Sequence, residues 1–576
     1  MNEQSQKLRE YVLEDESELK NKWIINQPSY EMIESIKSKY KLSYLTAFTV
    51  ASRGISFSEV EYFINPKIKN FWINPAELPD IQEGIALIKE AIKNKETIGV
   101  FGDYDVDGVS SCAIWKETLD LFNAKSEIWV PKRSQGYGPS QEALEHFENK
   151  KIKTLIIVDC GSSSHDFIEK YSGKTVIIDH HPCDEMVKSI VINPFKPTKN
   201  YNKLHDFQKM CAAGLSLMVV WELLRKSPEI DENKKKQHII SILDLAAIAT
   251  VCDIMEFNGI NRAIVATGIK VIESQKRVGL KALINQTDLY LPIISRDIAF
   301  NIGPRLNATG RLNNAHLSYE LLIEKNESEA IKKSIVINNM NEERKTLQDI
   351  ALEEAIEMAQ KYENEKVLFL ASENWHGGII GIIAGSIKDK FKKPVVIGNI
   401  EGNEIKASSR SPRNSINIGA LIQQGVQEKI ITKGGGHAQA AGLSCTLEEW
   451  ENFKQWSKNV LKEEVFTQNP ICIDAIIEMS QIDPDYKKIS PYGLKNPEVK
   501  ILTKNLKFLN ITKTKHSIKC LLEQNGKTYF VFAYIFKNEE LSKAIENAYK
   551  ERLNFNAVIT LNDKNKYHNI QDIKVI

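Results

Sequence analysis

Four short segments of this chain place aspartate or histidine side chains directly after an apolar run. Carboxylate and imidazole groups bind divalent cations, and a surplus of aspartate without paired cysteines favours Mn²⁺ or Mg²⁺ over a thiolate zinc site. Two such ions about 4 Å apart would polarise a phosphoryl oxygen, activate a water and stabilise a leaving oxygen. The pattern predicts a hydrolytic metal centre with the candidate groups Asp103, Asp105, Asp107, Asp159, Asp179, His180, His181 and Asp253.

Taken singly, each of these aspartates is more easily explained as a helix cap or a turn residue. That explanation weakens for four such segments together, because caps have no reason to converge at one edge of a sheet. The combined pattern therefore favours a functional site over four unrelated caps.

The elements that must position these groups alternate between helix and strand. Apolar spacing predicts a helix over 81–95, followed by short buried strands at 97–101, 127–130, 154–158 and 175–178 with helices between them. Strands that are apolar throughout and alternate with helices are typical of a parallel sheet covered on both faces. Ligands in such sheets bind beyond the carboxyl ends of the strands, so the predicted α/β fold gathers the candidate groups at one edge.

The rest of the chain predicts three further parts. The segment 328–361 favours one long helix, a second and smaller α/β unit begins at 367, and a hairpin signature around Asn525-Gly526 indicates a C-terminal β-barrel. We expect an N-terminal extension at 1–75, a catalytic domain at 76–325, a connector helix at 326–362, a second α/β domain at 363–465 and the barrel at 466–576.

Composition bounds the class of protein. At 576 residues with 42% hydrophobic and 26% charged residues, the chain is a multi-domain globular protein. It has neither a signal peptide pattern nor an apolar run long enough to span a membrane, so we expect a cytoplasmic protein without membrane contact. Its eight cysteines include no C-x-x-C pair, which argues against a disulfide framework or a zinc ribbon.

Charge is uneven along the chain. The net charge is +1, but the last 77 residues, from Lys500 onward, carry 14 Lys and Arg against 7 Asp and Glu. A basic module joined to an acidic, metal-binding body fits an enzyme that acts on nucleic acid, although a surplus of this size also occurs on ordinary solvated surfaces.

The order of these segments resembles the DHH phosphoesterase superfamily. The aspartates at 103–107, Asp159, the triplet 179–181 and Asp253 are similar to its first four motifs. Longer segments resemble the RecJ family of exonucleases over roughly residues 50 to 576, and they lie at 304–311, 375–381, 435–442 and 491–498. This resemblance implies a DHH domain and a DHHA1 domain joined by a long helix, followed by an OB-fold.

The resemblance also implies an activity and a set of roles. The activity is 5′-to-3′ degradation of single-stranded DNA to mononucleotides with two Mn²⁺ or Mg²⁺ ions, in DNA recombination and repair. The implied catalytic residues are Asp107, Asp159, Asp179, His180 and His181. One ion is assigned to Asp105 and Asp159 with help from Asp103, and the other to Asp107, Asp159, His180 and Asp253.

Either histidine of the triplet could be the metal ligand, and the other would then take the supporting role. His180 is taken as the ligand and His181 as a supporting or substrate-facing imidazole, with Asp179 orienting a ligand histidine through its free N–H. The chain departs from the superfamily at Phe101, where many members carry a histidine, so Asp103 or water must complete one ion's coordination shell.

Substrate contacts are assigned by the same resemblance. Arg133 and Arg410 match positions that bind the 5′-phosphate, as a planar guanidinium does well. Ser409 stands where the family usually has glycine, a change that would narrow the pocket at Arg410. The remaining candidate contacts are Arg305, Asn307, Arg311, Arg344, His376, Ser408 and His437.

Two alternative functions remain open at this point. In the first, the chain is a phosphodiesterase of the same superfamily that cleaves short oligonucleotides or cyclic dinucleotides. In the second, it is a non-catalytic scaffold that has the fold but binds no metal. The basic C-terminal module favours a long strand over a dinucleotide, and the complete set of acidic ligands argues against a scaffold. Expected partners are single-stranded DNA, a helicase and a single-strand-binding protein.

Overall fold

The computed structural model describes residues 9–14, 17–183, 189–197, 204–312, 314–362, 364–461, 470–535, 538–564 and 567–576. The predicted domain limits at 363, 465 and 466 lie outside these residues. The chain forms two compact units. The central unit consists of Glu61–Glu342 and Ile489–Pro497, and the flanking unit of Met1–Val60, Glu343–Lys488 and Glu498–Ile576.

The chain begins in the flanking unit with a hairpin and two helices. These are β1 (Arg9–Glu14), β2 (Trp23–Gln27), α1 (Tyr30–Tyr40) and α2 (Tyr44–Ser52). Ser29 and Ser43 cap the two helices by accepting hydrogen bonds from backbone N–H groups of the first turn. A short helix, α3 (Val60–Ile64), follows.

The central unit contains a five-stranded parallel sheet with the strand order β4-β3-β5-β6-β7. All residues of β3 and β5 are buried, which explains their unbroken apolar sequences. The predicted parallel sheet is therefore confirmed. Its elements are α4 (Ile81–Lys93), β3 (Ile98–Gly102), α5 (Val106–Leu121), β4 (Ser126–Trp129), α6 (Gln141–Asn149), β5 (Thr154–Val158), α7 (His165–Ile168), β6 (Lys174–Ile178) and β7 (Ile190–Ile192).

Helix α5 begins at Val106, four residues after β3 ends. Asp105 accepts hydrogen bonds from the N–H groups of Asp107 and Gly108 and caps the helix there. Because of this cap, Asp107 lies in the first helical turn rather than in a loop.

A group of helices completes the central unit and packs against the sheet in one large apolar core. They are α8 (Ala212–Arg225), α9 (Glu232–Cys252), α10 (Gly259–Glu273), α11 (Val278–Ile284), α12 (Ser295–Asp297), a π-helical turn (Ile298–Ile302), α13 (Gly303–Arg311) and α14 (His316–Ile323). The predicted long helix is α15 (Glu327–Gln360), and the division between the units falls within it.

A second, mixed sheet lies in the flanking unit, with the strand order β11-β12-β10-β9-β8. Only β8 and β9 are parallel, while β9, β10, β12 and β11 pair in antiparallel fashion. Its elements are β8 (Leu368–Ser372), α16 (Ile380–Phe391), β9 (Val395–Glu401), β10 (Glu404–Arg410), α17 (Ile418–Gln427), β11 (Lys433–His437), β12 (Ala440–Thr446) and α18 (Leu447–Val460).

The C-terminal part of the flanking unit is a closed barrel, as predicted. Two short strands, β13 (Ile471–Ile473) and β14 (Ala475–Ile476), pair with β2 and β15. Pairing of β15 with both β16 and β18 closes the ring β15-β16-β17-β19-β18, and the helix between β17 and β18 gives the topology of an OB-fold. The elements are β15 (Lys500–Lys513), β16 (Ser517–Gln524), β17 (Lys527–Tyr534), α19 (Glu539–Lys550), β18 (Asn554–Thr560) and β19 (His568–Val575).

The turn of the predicted hairpin lies between β16 and β17. Asn525 and Gly526 both have positive φ, at 51° and 76°. Two consecutive left-handed residues form the tight turn whose twist matches that of antiparallel strands. Within the described part of the chain, the helices include none with the length and apolar character needed to cross a membrane.

Candidate metal centre

Sheet register brings three aspartates together in the central unit. The last residues of β3, β5 and β6 lie opposite one another across the sheet. The residue after each strand is an aspartate, namely Asp103, Asp159 and Asp179, and all three are buried. Their proximity therefore follows from strand pairing.

Two helix N-termini fix the carboxylates of Asp105 and Asp107. The carboxylate of Asp107 accepts hydrogen bonds from the N–H groups of Ala212 (2.7 Å) and Ala213 (2.8 Å), which begin α8. Free N–H groups and the helix dipole favour a negative charge at that end. Asp105 caps α5 through the N–H groups of Asp107 (2.9 Å) and Gly108 (3.2 Å), so both side chains are held in one orientation.

The imidazole of His180 lies among three carboxylates. Its Nε2 is 3.4 Å from Oδ1 of Asp159 and 3.7 Å from Oδ2 of Asp107. The same atom is 3.6 Å from Oδ2 of Asp253, which follows the end of α9. Ligands about 2.1 Å from a common cation lie roughly 3 to 4 Å apart, so these separations suit groups that share one ion.

The ligand atoms form three sets, and within each set they all lie within 4.8 Å of one another. The first is Asp103, Asp105 and Asp159, and the second is Asp107, His180 and Asp253. The third, Asp159, His180 and His181, shares Asp159 with the first and His180 with the second. Asp159 lies next to the second set through His180, so it can contact ions in both positions. This arrangement provides two neighbouring cation positions with one shared carboxylate.

The carboxylates of this cluster have negative charge that neighbouring groups do not neutralise, and divalent cations could neutralise it. Buried oxygens of Asp103 (Oδ1) and Asp253 (Oδ2) lack a hydrogen-bond partner within the described residues. Burial raises the pKa of Asp159 well above its ordinary value, and the charges of Asp107 and Asp105 raise it further. The pKa of Asp253 is raised by the same causes, burial first and then Asp107. Oxygen-preferring divalent cations would neutralise such a cluster and allow its carboxylates to stay ionised.

Asp159 also has an unusual backbone. Its φ is +62°, a left-handed conformation that aspartate and asparagine tolerate better than most residues. Non-glycine residues in this region cluster at functional sites, where the surrounding structure holds them. Here the N–H of Asp159 donates to the carbonyl of Ile178 at 3.0 Å, which keeps the residue aligned with the neighbouring strand.

Asp179 faces His181 rather than the cation positions. Its Oδ1 lies 2.8 Å from Nδ1 of His181 and accepts from the N–H of His180 at 2.8 Å, and its Oδ2 accepts from the N–H of Ser162 at 3.1 Å. Burial alone would raise the pKa of Asp179, but the hydrogen bond and positive charge of His181 outweigh it and hold that pKa at about 2. Asp179 thus acts as a fixed anion that orients the imidazole of His181.

The structure adds Tyr137, which sequence reasoning missed. Its hydroxyl donates to the carbonyl of Asp159 at 3.0 Å and lies 2.9 Å from Nδ1 of His181. Burial and the charge of Asp179 raise the pKa of Tyr137, so the hydroxyl stays protonated and able to donate. One feature of the sequence could have indicated Tyr137, because it lies between two glycines in the same segment as Arg133.

The other candidates of the central unit make different kinds of contact. The guanidinium of Arg133 lies 5.1 Å from the ring centroid of Tyr104, a cation–π contact. Oδ1 of Asn307 accepts from the N–H of Val106 at 3.2 Å, so this side chain supports the start of α5. Arg305 is buried and donates to Oδ1 of Asn338 at 3.0 Å, and Arg311 is half-buried at the end of α13.

Two candidates of the flanking unit, Ser408 and Arg410, lie on β10 with Ser409 between them. Strand alternation places Ser408 and Arg410 on one face and Ser409 on the other. Nη1 of Arg410 donates to Oγ of Ser408 at 3.0 Å, and a Cβ added to Gly381 would lie 3.3 Å from its Nη2. The expectation that Ser409 narrows the pocket is wrong, because its buried hydroxyl donates to the carbonyl of Ala441 at 2.9 Å.

The remaining candidates of the flanking unit are dispersed over its elements. Nδ1 of His376 accepts from the N–H of Gly378 at 3.0 Å. His437 ends the exposed strand β11. Arg344 lies on α15, where its Nη1 donates to Oε1 of Gln348 at 2.7 Å. The site residues predicted from sequence thus divide between the two units, and only the metal candidates form one compact group.

Comparisons with known proteins agree with this architecture. Residues 97–250 match the DHH family, N-terminal domain, and residues 364–463 match the DHHA1 domain. The first match covers the parallel sheet and the second covers the mixed sheet.

Two curated relatives carry the same name. The chain is 29% identical over 514 residues to the single-stranded-DNA-specific exonuclease RecJ of Bacillus subtilis, covering 84% of this chain and 62% of that protein. It is 28% identical over 485 residues to the RecJ of Escherichia coli, covering 78% of this chain and 81% of the relative. The chain therefore spans less than two thirds of the Bacillus relative and about four fifths of the Escherichia one.

Solved structures share the fold. The Mn²⁺ complex of RecJ from Thermus thermophilus superposes with a TM-score of 0.78 at 22% identity, covering 95% of this chain and 78% of the other. A second structure, an exonuclease RecJ bound to manganese, has a TM-score of 0.57 at 25% identity and covers 69% of this chain and 97% of the other.

Proposed function

We propose that this chain, which matches the DHH family over residues 97–250 and the DHHA1 domain over residues 364–463, is a metal-dependent exonuclease that degrades single-stranded DNA from the 5′ end and releases mononucleotides. The observation that carries the proposal is the pair of adjacent cation positions that share Asp159. Two neighbouring ions suit the hydrolysis of a phosphodiester better than the binding of a structural metal. The name of the similar proteins and the manganese bound in one of their solved structures support the same conclusion.

The residues that would hold the ions are Asp103, Asp105 and Asp159 at one position and Asp107, Asp159, His180 and Asp253 at the other. When bound, Mn²⁺ or Mg²⁺ supplies Lewis-acid activation of a water and of the phosphoryl group. The chain itself fixes the ligands through two helix N-termini and the sheet register, so little reorganisation is needed on binding.

His181 is proposed as the group that exchanges a proton near the scissile bond. Its Nδ1 is held by Asp179 and Tyr137, which leaves Nε2 as the nitrogen available for a reacting group. The hydrogen bond to Asp179 raises the pKa of His181 against the opposing effect of burial. An imidazole held in one orientation with a raised pKa is suited to donate a proton to a leaving oxygen.

Strand contacts are proposed for the arginines and their neighbours. Burial lowers the pKa of the Arg410 guanidinium, and an anionic phosphate would offset the cost of that burial. Arg133 is the corresponding candidate in the central unit, and Arg305, Asn307, Arg311, Arg344, His376, Ser408 and His437 are proposed to follow the strand or support those that do.

The proposed domain limits are 1–75, 76–325, 326–362, 363–465 and 466–576. We place the activity in the cytoplasm, in DNA recombination and repair, with a helicase and a single-strand-binding protein as proposed partners. The helicase would supply single strands, since the enzyme would not open a duplex itself.

Digestion of 5′-labelled and 3′-labelled strands, single and double, tests the proposal. With Mn²⁺ present, we expect a 5′-labelled single strand to release labelled mononucleotide at once, while the 3′ label stays on shortening strands. Duplex and chelator-treated samples should remain intact. Hydrolysis confined to di- to pentanucleotides or cyclic dinucleotides would instead support a small-substrate phosphodiesterase, and strand binding without hydrolysis would support a scaffold.

A further inference from the structure

The loop that carries Asp253 has a strained backbone. Helix α9 ends at Cys252, and Ile254 adopts a left-handed conformation with φ +56°. The N–H of Met255 donates to the carbonyl of Thr250 at 3.1 Å, a helix-ending pattern that usually has glycine at the left-handed position. A β-branched residue is unfavourable there, and the side chain of Ile254 is 69% exposed, so its own packing does not hold the loop.

A distant segment of the chain contacts the residues that follow Ile254. Glu256 forms a parallel bridge with Leu494, and the N–H of Phe257 donates to the carbonyl of Leu494 at 2.8 Å. Gly493 lies so close to the buried ring of Phe257 that an added Cβ would come within 2.7 Å of it. The loop therefore pairs with Leu494 and packs against Gly493 at residues that lie only three to four positions after Asp253.

That segment is itself anchored by a buried arginine. The guanidinium of Arg262, on α10, donates to the carbonyls of Ile489 (2.5 Å), Ser490 (3.0 Å) and Pro491 (3.0 Å). From within the segment, Nδ2 of Asn496 donates to Ile489 (3.0 Å) and Pro491 (2.7 Å). The planar fork of an arginine can satisfy several carbonyls at once, which a lysine cannot do.

We propose that Ile489–Pro497 acts as a brace that positions Asp253, and that Arg262 and Gly493 thereby set how tightly the central unit holds a divalent cation. This inference rests on the proposed metal-dependent function. The brace holds the strained loop in the conformation that directs Asp253 toward His180, so Arg262 and Gly493 are positioning residues that touch no reacting group. Supporting contacts of metal ligands commonly govern metal affinity in this way.

The test compares Gly493→Ala and Arg262→Lys in the full chain, using Mn²⁺ alone as the probe. The readout is the Mn²⁺ concentration that half-saturates the metal-free chain in a calorimetric titration, measured without substrate. We expect both variants to need roughly tenfold more Mn²⁺ than wild type, with hydrolysis close to wild type at saturating Mn²⁺.

Two matched variants serve as controls. Gly385→Ala adds a methyl group where nothing lies within 4 Å, and Arg277→Lys alters another buried arginine of the central unit. Both should keep the wild-type Mn²⁺ requirement, even though Arg277→Lys lowers the metal-free Tm.

A double substitution isolates the coupling to Asp253. In an Asp253→Asn background, Gly493→Ala should change the Mn²⁺ requirement by less than about twofold, because the group it positions is already altered. An unchanged Mn²⁺ requirement in Gly493→Ala and Arg262→Lys, with Tm lowered as in Arg277→Lys, would overturn the brace alone. A wild-type chain that neither hydrolyses DNA nor gains stability from Mn²⁺ would contradict the proposed function itself.

Discussion

The central unit buries two clusters of charge, and they differ in how the charge is neutralised. In one, the guanidinium of Arg277 donates to both carboxylate oxygens of Asp244 (2.7 and 3.1 Å) and to Glu117 and two backbone carbonyls. In the other, Asp159 and the neighbouring carboxylates lie close together, with the imidazoles of His180 and His181 beside them.

The difference separates a structural cluster from a functional one. Buried charges cost free energy unless they are paired, and Arg277 meets this requirement with groups of its own chain. Burial raises the pKa of Asp244 too, but Arg277 offsets part of that effect. In the acidic cluster burial raises the pKa of Asp103 well above its usual value, and the charge of Asp105 raises it further. We therefore expect the acidic cluster to bind cations, which would neutralise its charge.

The largest expected effect comes from Asp159→Asn. Asparagine tolerates the left-handed backbone, so the substitution removes charge without adding backbone strain. We expect hydrolysis of a 5′-labelled single strand to fall on the order of 10³-fold or more, because the shared ligand serves both ions. In chelator, the same variant should be at least as stable as wild type, since one unmatched charge is gone. Full activity would contradict the two-ion arrangement.

Asp244→Asn should show the opposite pattern. Removing one partner of Arg277 leaves a buried guanidinium incompletely paired, so we expect a loss of about 3 kcal/mol in the free energy of unfolding. Chemical denaturation measures that loss, and hydrolysis per folded molecule should be close to wild type. An unchanged free energy of unfolding would mean that the Arg277 cluster does not stabilise the fold, and the contrast between a structural and a functional cluster would be wrong.

Arg410→Lys tests whether Arg410 of the flanking unit binds the terminal phosphate of the substrate. Lysine keeps the charge but loses the planar fork, so KM for a 5′-phosphorylated strand should rise about tenfold with little change in kcat. A strand with a 5′-hydroxyl is the control, and it should respond much less. Equal losses on both strands would show that Arg410 does not bind the terminal phosphate.

Removal of Lys500–Ile576 is expected to have the smallest effect on chemistry. The barrel has a basic surplus and an exposed Phe530 on β17, features of modules that follow single strands. Affinity for long strands should fall severalfold in a filter-binding assay, more than turnover of trinucleotides does. Equal losses on both substrates would mean that the barrel is structural.

Much of the metal centre could be predicted from sequence because it depends on local pattern. The apolar strands are short and uninterrupted, so the sequence shows where each strand ends and which residue follows it. Parallel pairing of these strands then brings Asp103, Asp159 and Asp179 together. The Asn525-Gly526 turn was equally local, since two left-handed residues specify a tight hairpin.

The contacts that sequence did not reveal join residues far apart in the chain. Tyr137 reaches His181 across the sheet edge, and Leu494 pairs with Glu256 from more than 200 residues away. The side of β10 that Ser409 faces depended on the strand's register, which a motif match does not specify. Such contacts depend on tertiary packing, for which neither periodicity nor spacing carries a signal.

Calorimetric titration of the metal-free chain with Mn²⁺ tests the central claim most directly. We expect two Mn²⁺ ions per wild-type chain, and weaker binding at both positions in Asp159→Asn because the shared ligand is altered. Binding of a single ion, or wild-type affinity at both positions in Asp159→Asn, would contradict the account.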